Sequence, residues 1–223
     1  MIACEESQVE CAAFRSLGFN AYSCDIQKCG GGHPEWHIMQ DVSPLLDGQT
    51  KFKTMDGKRH TVARWHLIIA HPPCTYLCRV SSICLVKNGK VDAARWKKAI
   101  EAKKFFQKCL DAAADYVAVE NPIPMKRVGL PKPDFYTCPS QFGHKYMKKT
   151  LWWAPKLPPI LPTIFFPNPK CFVHCSRGKY RSRTFKNVAQ EMARVWGEFL
   201  MDSAIRKPHP HPPSNAGRLN QRS

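Results

Sequence analysis

The strongest chemical signal in the sequence is a cysteine, Cys74, that directly follows two prolines. The apolar residues Leu67–Ala70 predict a short buried strand, which Pro72 and Pro73 would end with a stiff turn. Since α/β proteins place their chemistry in loops that leave the carboxyl ends of strands, a thiol held there is a candidate nucleophile. The alternative is that Cys74 packs in the core, as free cysteines commonly do.

A second strand-like segment, Tyr116–Pro122, carries a carboxylate and an amide at its end, Glu120 and Asn121. If this strand runs parallel to the one before Cys74, both end at the same edge of the sheet. The sequence therefore predicts that a thiol and a carboxyl group lie close together.

The pairs Pro73-Cys74 and Glu120-Asn121 resemble two motifs of the DNA cytosine-5 methyltransferases, in the same order and at a similar separation. The resemblance implies an α/β fold with the doubly wound, Rossmann-like sheet of class I S-adenosylmethionine-dependent methyltransferases. It also implies that Cys74 adds to C6 of cytosine and that Glu120 stabilises the charge that develops at N3, with Asn121 orienting the loop. For that role we expect the pocket to raise the pKa of Glu120.

The first 25 residues predict a β-α-β unit: a short strand at 1–4, a helix that ends near Leu17 and a strand over 20–25. In the family that this chain resembles, the loop after the first strand approaches the methionine part of S-adenosylmethionine. Asp25, at the end of the second strand, would accept hydrogen bonds from two ribose hydroxyls. The predicted cofactor-binding residues are Cys4, Glu5, Ser7, Asp25, Ile26, Asp41, Val42, His71 and Pro72.

The predicted cofactor loop contains no glycine, unlike the glycine-rich loop that is usual at this position. Its sequence over Ala3–Ser7, Ala-Cys-Glu-Glu-Ser, is similar to that of compact phage-type relatives of the cytosine methyltransferases. The segment 154–184, where the family has a large target-recognition region, is short here. We therefore expect relaxed sequence specificity.

The net charge is +17, with 34 Lys and Arg against 17 Asp and Glu. Such an excess favours a polyanionic partner, and DNA is the partner that the resemblance implies. The target base would be flipped out of the duplex or would lie in a single strand. The predicted nucleic-acid contacts are Lys148, Lys149, Arg177, Lys179, Arg181 and Arg183.

The length predicts one compact domain, which the resemblance implies is a methyltransferase domain over 1–206. We expect a monomer, and the composition predicts a disordered tail over 207–223. No apolar run approaches the roughly 20 residues that span a bilayer, and no export leader is evident. We therefore expect no membrane association and a cytoplasmic protein, in a bacterial host if a phage or prophage encodes it. The 11 cysteines are odd in number, which favours reduced thiols.

The spacing of Cys171, His174 and Cys175 approaches a zinc pattern, with Cys138 and His144 as loose further ligands. The alternative, which we prefer, is a set of loop thiols beside a basic contact and no metal.

Two other functions remain open from the sequence. One is an amino-methyltransferase that acts on adenine N6 or cytosine N4, although Cys74 occupies its expected aromatic position. The other is a non-catalytic nucleic-acid-binding protein on a decayed methyltransferase fold.

Further elements follow from periodicity. We expect helices over 91–114 and 185–201, a hairpin within 47–60 and few regular elements over 122–169. Trp152 and Trp153 are expected in the core.

Overall fold

The chain folds around one seven-stranded sheet. The structure is a computed structural model that describes residues 1–87, 89–172 and 183–206. Its strands are β1 (Ile2–Ala3), β2 (Ser23–Asp25), β3 (His37–Met39), β4 (Lys51–Lys53), β5 (Arg59–Thr61), β6 (Leu67–Ala70), β7 (Val86–Lys87), β8 (Lys90–Val91), β9 (Tyr116–Pro122), β10 (Phe135–Thr137), β11 (Tyr146–Met147), β12 (Thr150–Trp153) and β13 (Lys170–Cys171). Its helices are α1 (Val9–Ser16), α2 (Ser43–Leu46), α3 (Ala93–Leu110) and α4 (Lys186–Arg206).

The strand order in the main sheet is β10-β12-β9-β6-β1-β2-β3. Strands β3, β2, β1, β6 and β9 pair in parallel, whereas β12 is antiparallel to both of its neighbours. The chain builds outward from β1 to β3 and then returns to place β6 on the other side of β1. This doubly wound order confirms the predicted α/β class and is compatible with a Rossmann-like fold, with its topological switch point between β1 and β6.

Two hydrophobic layers cover the sheet because side chains alternate along each strand. Ile68 of β6 packs in the layer that contains α3, and Ile69 packs with α1 and α4 in the other layer. Trp153 packs in the layer with α3, and Trp152 packs in the layer with α1 and α4. Both are buried, as predicted. Strand β6 is thus buried on both faces, as expected for a central parallel strand.

The sequence predicted most elements near the site. Strands β6 and β9 have their predicted bounds, and β4 and β5 form the expected hairpin. Helix α3 lies within the predicted range, and Asp92 caps it by accepting a hydrogen bond from the backbone N–H of Arg95 at 3.0 Å. Helix α4 continues five residues past the predicted end at 201, to Arg206.

The prediction for 122–169 was wrong. This proline-rich stretch supplies two strands of the main sheet, β10 and β12, and the short strand β11. Two to four residues suffice for each strand because each pairs with a neighbouring strand. Part of the proposed recognition segment 154–184 and the proposed tail over 207–223 lie outside the described residues.

The ten cysteines within the described ranges are all free thiols, as the odd cysteine count suggested. Over those same ranges, no helix combines the length and the apolar character needed to cross a membrane.

Replacing Ile68 with alanine should destabilise the fold strongly. Ile68 is 0% exposed at the centre of the sheet, so its truncation leaves a cavity and should lower the free energy of unfolding by about 2–5 kcal/mol. The matched control is Ile83→Ala, at a side chain that is 80% exposed, which should change it by less than about 0.5 kcal/mol. Denaturant titration of both variants checks this, and similar losses would contradict the assignment of β6 to the core.

Candidate active site at the switch point

A cleft of about 290 Å³ opens at the carboxyl ends of the parallel strands. Strand register explains its position, because Ala70 of β6 pairs with both Ala3 and Val119. The next residue of each strand therefore emerges at the same level. The lining residues are Cys4, Glu5, Glu6, Ser7, Asp25, Gln27, His71, Pro72, Pro73, Cys74, Thr75, Glu120, Pro122, Lys148, Arg183 and Thr184.

The cleft brings together the two residues on which the sequence argument depended. Cys74 and Glu120 both line it, although 46 positions separate them in the chain. Asn121 does not line it. It is 0% exposed, and its side-chain amide donates to the carbonyl of Pro122 at 2.9 Å. Its side chain thus contacts the backbone of its own turn, the position expected of an orienting residue.

Glu120 is held by an imidazole. Nδ1 of His71 lies 3.2 Å from Oε2 of Glu120, and within the described chain Oε1 of Glu120 has no hydrogen-bond partner. Burial by itself raises the pKa of Glu120, but the hydrogen bond from His71 and the charge of Lys148 outweigh it, so that pKa lies below its ordinary value. Our expectation of a raised pKa was therefore wrong, because it took no account of these two cations.

His71 bridges two carboxylates. Its Nε2 lies 2.8 Å from Oε2 of Glu10, a helix α1 residue that is 0% exposed. Burial alone would lower the pKa of His71, but Glu10 and Glu120 raise it well above the ordinary value. The hydroxyl of Thr184 donates to the other oxygen of Glu10 at 2.6 Å. The imidazolium is therefore the favoured form of His71.

Sequence reasoning missed Glu10 and Thr184. Glu10 occupies the first turn of a predicted helix, where acids are common for electrostatic reasons alone. Thr184 is 174 positions away in the chain from Glu10. No local pattern could have connected them, and only the packing of α1 against α4 brings them together.

Cys74 interacts with a second thiol. The backbone N–H of Cys78 donates to the carbonyl of Cys74 at 3.0 Å, which closes one helical turn. Interaction with the Cys78 thiol, then burial and the charge of Glu120, raise the pKa of Cys74, whereas the charge of Lys148 opposes this. The pKa of Cys78 is lowered to about 5 because the Cys74 thiol hydrogen-bonds to it. Cys74 is therefore the thiol of the pair and donates to Cys78, which is the favoured thiolate.

The predicted cofactor loop, which has no glycine, turns at two residues whose backbone conformation is strained. Cys4 and Gln8 have φ angles of 60° and 59°, in the left-handed region that glycine normally occupies. The Gln8 side chain is 1% exposed, donates to the carbonyl of His33 at 2.8 Å and accepts from its N–H at 3.1 Å. These contacts stabilise the left-handed backbone conformation of Gln8 in a loop that has no glycine.

The loop that contains Gly30, Gly31 and Gly32 packs directly on the predicted cofactor loop. The N–H of Gly30 donates to the carbonyl of Glu6 at 2.6 Å. A Cβ added to Gly31 would lie 2.6 Å from Cβ of Gln8 and 2.8 Å from the carbonyl oxygen of Ser7. The glycines are therefore explained by close approach and not only by turn formation.

The structure changes the interpretation of Glu5. Its two carboxylate oxygens accept the backbone N–H groups of Glu10 at 2.7 Å and Cys11 at 3.3 Å, so it caps helix α1. Burial, and then the charge of Glu10, raise the pKa of Glu5 to about 8. Both oxygens thus face the helix, although Glu5 also lines the cleft, and its role in cofactor binding stays a prediction. Ser7 and Pro72 do line the cleft, as predicted.

Asp25 lies at the open side of the cleft, half-buried. One carboxylate oxygen accepts the N–H of Gln27 at 2.8 Å. Its charge and that of Asp41 both raise the pKa of Cys4, after the larger effect of burial, so both acids lie on this side of the sheet edge.

The other predicted cofactor residues lie outside the cleft lining. Asp41 accepts the N–H of Ser43 at 2.7 Å at the start of α2. Ile26 is 76% exposed beside the cleft, whereas Val42 packs in the core at 5% exposure. The Val42 side chain therefore lies in the core and not in the cleft lining, and its role in cofactor binding stays a prediction.

The predicted nucleic-acid residues separate into three groups. Lys148 lines the cleft, and Lys149 points its ammonium at the ring of Tyr136 from 4.0 Å. Arg183 pairs with Glu6 at 3.3 Å and lines the cleft, and its contact with nucleic acid stays a prediction. Arg177, Lys179 and Arg181 lie outside the described residues.

Over the described ranges, no group of three or more His, Cys, Asp or Glu side chains could hold a metal ion. The zinc alternative itself stays untested, because His174 and Cys175 lie outside those ranges.

Compared with models of known protein families, the chain matches none, and no curated protein matches it either. Support for a function therefore comes from the geometry of the cleft and from the resemblance of its Pro-Cys and Glu-Asn motifs to those of the DNA cytosine-5 methyltransferases.

Replacing Glu5 with glutamine should make stability less sensitive to pH. The folded state retains a proton on Glu5 up to about pH 8, whereas the unfolded chain releases it near the ordinary pKa of 4.5. Stability is therefore lost as pH rises between these values, and a glutamine does not titrate.

The wild type should lose on the order of 2 kcal/mol more than Glu5→Gln between about pH 5 and pH 8, as measured by urea unfolding. The exposed control Glu101→Gln should behave as the wild type. An equal pH dependence of Glu5→Gln and the wild type would show that Glu5 is ionised throughout this range.

Proposed function

We propose that this protein transfers a methyl group from S-adenosylmethionine to C5 of cytosine in DNA. The observation that carries the proposal is the shared cleft of Cys74 and Glu120 at the switch point of a doubly wound sheet. Ligands of such sheets bind at this place, and a nucleophile beside a carboxyl group is the pair that cytosine C5 chemistry needs.

The residues around the cleft fit the cofactor. Asp25 keeps one carboxylate oxygen for a ligand while the other accepts the N–H of Gln27. A carboxylate at the end of the second strand suits ribose hydroxyls, and Cys4, in the left-handed turn that follows the first strand, lines the same cleft. When bound, the cofactor supplies an electrophilic methyl group.

Cytosine C5 is a poor nucleophile until a thiolate adds to C6. Cys74 is the proposed nucleophile, and the Cys78 thiolate, its hydrogen-bond partner, accepts the proton of Cys74 as the bond between sulfur and C6 forms. Glu120 lines the cleft with Cys74, so its carboxyl is the proposed group that stabilises the charge developing at N3. Once C5 is methylated, loss of its proton and elimination of Cys74 restore the thiolate.

The substrate assignment to DNA depends on charge. The net charge of +17 favours a polyanion, and Lys148 places a cation inside the cleft itself. The base must leave the stack to reach Cys74, which lies below the rim. Lys148 can then contact the flanking phosphate or the base carbonyl.

Replacing Cys74 with serine should abolish methyl transfer without preventing binding of DNA or cofactor. Serine keeps the shape of the side chain but is a far weaker nucleophile, so activity should fall by at least about a thousandfold. Transfer of labelled methyl groups to unmethylated DNA measures this. The control Cys84→Ser, at an exposed thiol outside the cleft, should keep full activity. Activity in Cys74→Ser would overturn the covalent mechanism.

Replacing Asp25 with alanine should weaken cofactor binding. Loss of charge-assisted hydrogen bonds to the ribose should cost about 1.5–3 kcal/mol, or roughly tenfold to a hundredfold in the dissociation constant. Isothermal titration with S-adenosylmethionine measures it, and Asp111→Ala at the exposed end of α3 is the control. Equal constants for Asp25→Ala and the wild type would place the cofactor elsewhere.

A further inference from the structure

The cluster formed by Glu10, His71 and Glu120 has one closed end and one open end. At the closed end, Glu10 is 0% exposed and its oxygens contact Nε2 of His71 at 2.8 Å and the hydroxyl of Thr184 at 2.6 Å. At the open end, Glu120 borders the cleft. A proton on the cluster can therefore leave only toward the cleft.

We propose that His71 holds the proton that Glu120 delivers to N3 of the target cytosine, and that Glu10 is the buried anion that keeps this proton in place. The inference rests on the proposed function and extends it. His71 is thus a positioning and proton-storing residue, since it contacts Glu120 and not the base.

The charges that face His71 come from four parts of the fold. Glu5 and Glu10 approach from the loop after β1 and from α1, and Glu120 approaches from β9. Lys148 acts on Glu120 from the segment between β11 and β12, and the Cys74 thiol lies within the field of Glu120. The edge of Trp152 packs against the imidazole ring at a centroid distance of 6.2 Å and restricts its rotation.

The need for a stored proton follows from the lowered pKa of Glu120. A carboxylate that is ionised at neutral pH has no proton of its own to give to N3. The neighbouring imidazolium supplies it within one hydrogen bond, 3.2 Å long. His71 and Glu120 together can then protonate N3, which a single protonated carboxyl group would otherwise have to do.

The proposed step balances in charge and atoms. The S–H bond of Cys74 breaks and its proton passes to the Cys78 thiolate, while the Cys74 sulfur forms a bond to C6 and the π electrons move toward N3. The Nδ1–H bond of His71 breaks, the proton passes through the carboxyl of Glu120, and an N3–H bond forms. One negative and one positive charge disappear together. Elimination of Cys74 later reverses the transfer and returns the proton from N3 to His71.

The test is the pH profile of methyl transfer in Glu10→Gln. The active state needs a protonated His71, so the rate should fall as pH rises through the pKa of that imidazole. Glutamine keeps the size and one acceptor but removes the charge that raises this pKa. The fall should therefore occur at least about one pH unit lower, which is about a tenfold lower rate in the alkaline range.

The assay uses labelled S-adenosylmethionine and unmethylated plasmid DNA, with Glu198→Gln as the control. Glu198 lies on the outer face of α4, with a side chain that is 58% exposed, and its variant should keep the wild-type profile. If the profiles of Glu10→Gln and the wild type coincide while both methylate cytosine C5, the proton-storage role is wrong and the proposed function stands. If the wild type labels no cytosine, both fail.

A second measurement does not depend on methyl transfer. Reversible addition of Cys74 makes the C5 hydrogen exchange with water even without cofactor, and this exchange needs the proton at N3. His71→Gln, checked for folding by circular dichroism, should release tritium from 5-tritiated cytosine in DNA at least about tenfold more slowly than the wild type. Exchange at the wild-type rate would overturn the proposal.

Discussion

The register between β1, β6 and β9 is the constraint on which the site depends. Ala70 is aligned with Ala3 on one side and with Val119 on the other. Cys4 and His71, the residues that follow β1 and β6, therefore lie at the level of Glu120 in β9, and Pro72 and Pro73 hold the next residues in a stiff turn. A slip of one residue in β6 would turn its side chains to opposite faces and would separate His71 from Glu120.

A cluster of buried acids lies at this edge of a strongly basic protein. Glu5, Glu6 and Glu10 are all less than a tenth exposed. Each has a partner: the α1 amides for Glu5, Arg183 for Glu6 and His71 for Glu10. Such burial is costly unless every charge is paired, so the cations here support the fold as well as any chemistry. Glu120, which lines the cleft, has a buried carboxylate oxygen, Oε1, without a hydrogen-bond partner in the described chain.

Much of this arrangement could be predicted from local patterns. The short apolar strand and the prolines before Cys74 predicted its position, and the strand before Glu120 predicted the meeting of the two residues. The strands β10 and β12 were missed because prolines surround them and because each has only three or four residues, whose pairing with neighbouring strands is set by tertiary structure. The direction of the Glu120 pKa was missed for a related reason. It depends on His71 and Lys148, whose positions relative to Glu120 are set by tertiary structure.

In the proposed reaction, C5 of cytosine receives the methyl group after the Cys74 sulfur has added to C6. The most direct test is to incubate unmethylated plasmid DNA with the wild-type protein and labelled S-adenosylmethionine, digest the DNA to nucleosides and identify the labelled nucleoside by chromatography and mass spectrometry. The account predicts label in 5-methyldeoxycytidine. Label in N4-methyldeoxycytidine or N6-methyldeoxyadenosine, or no label in any nucleoside, would contradict it.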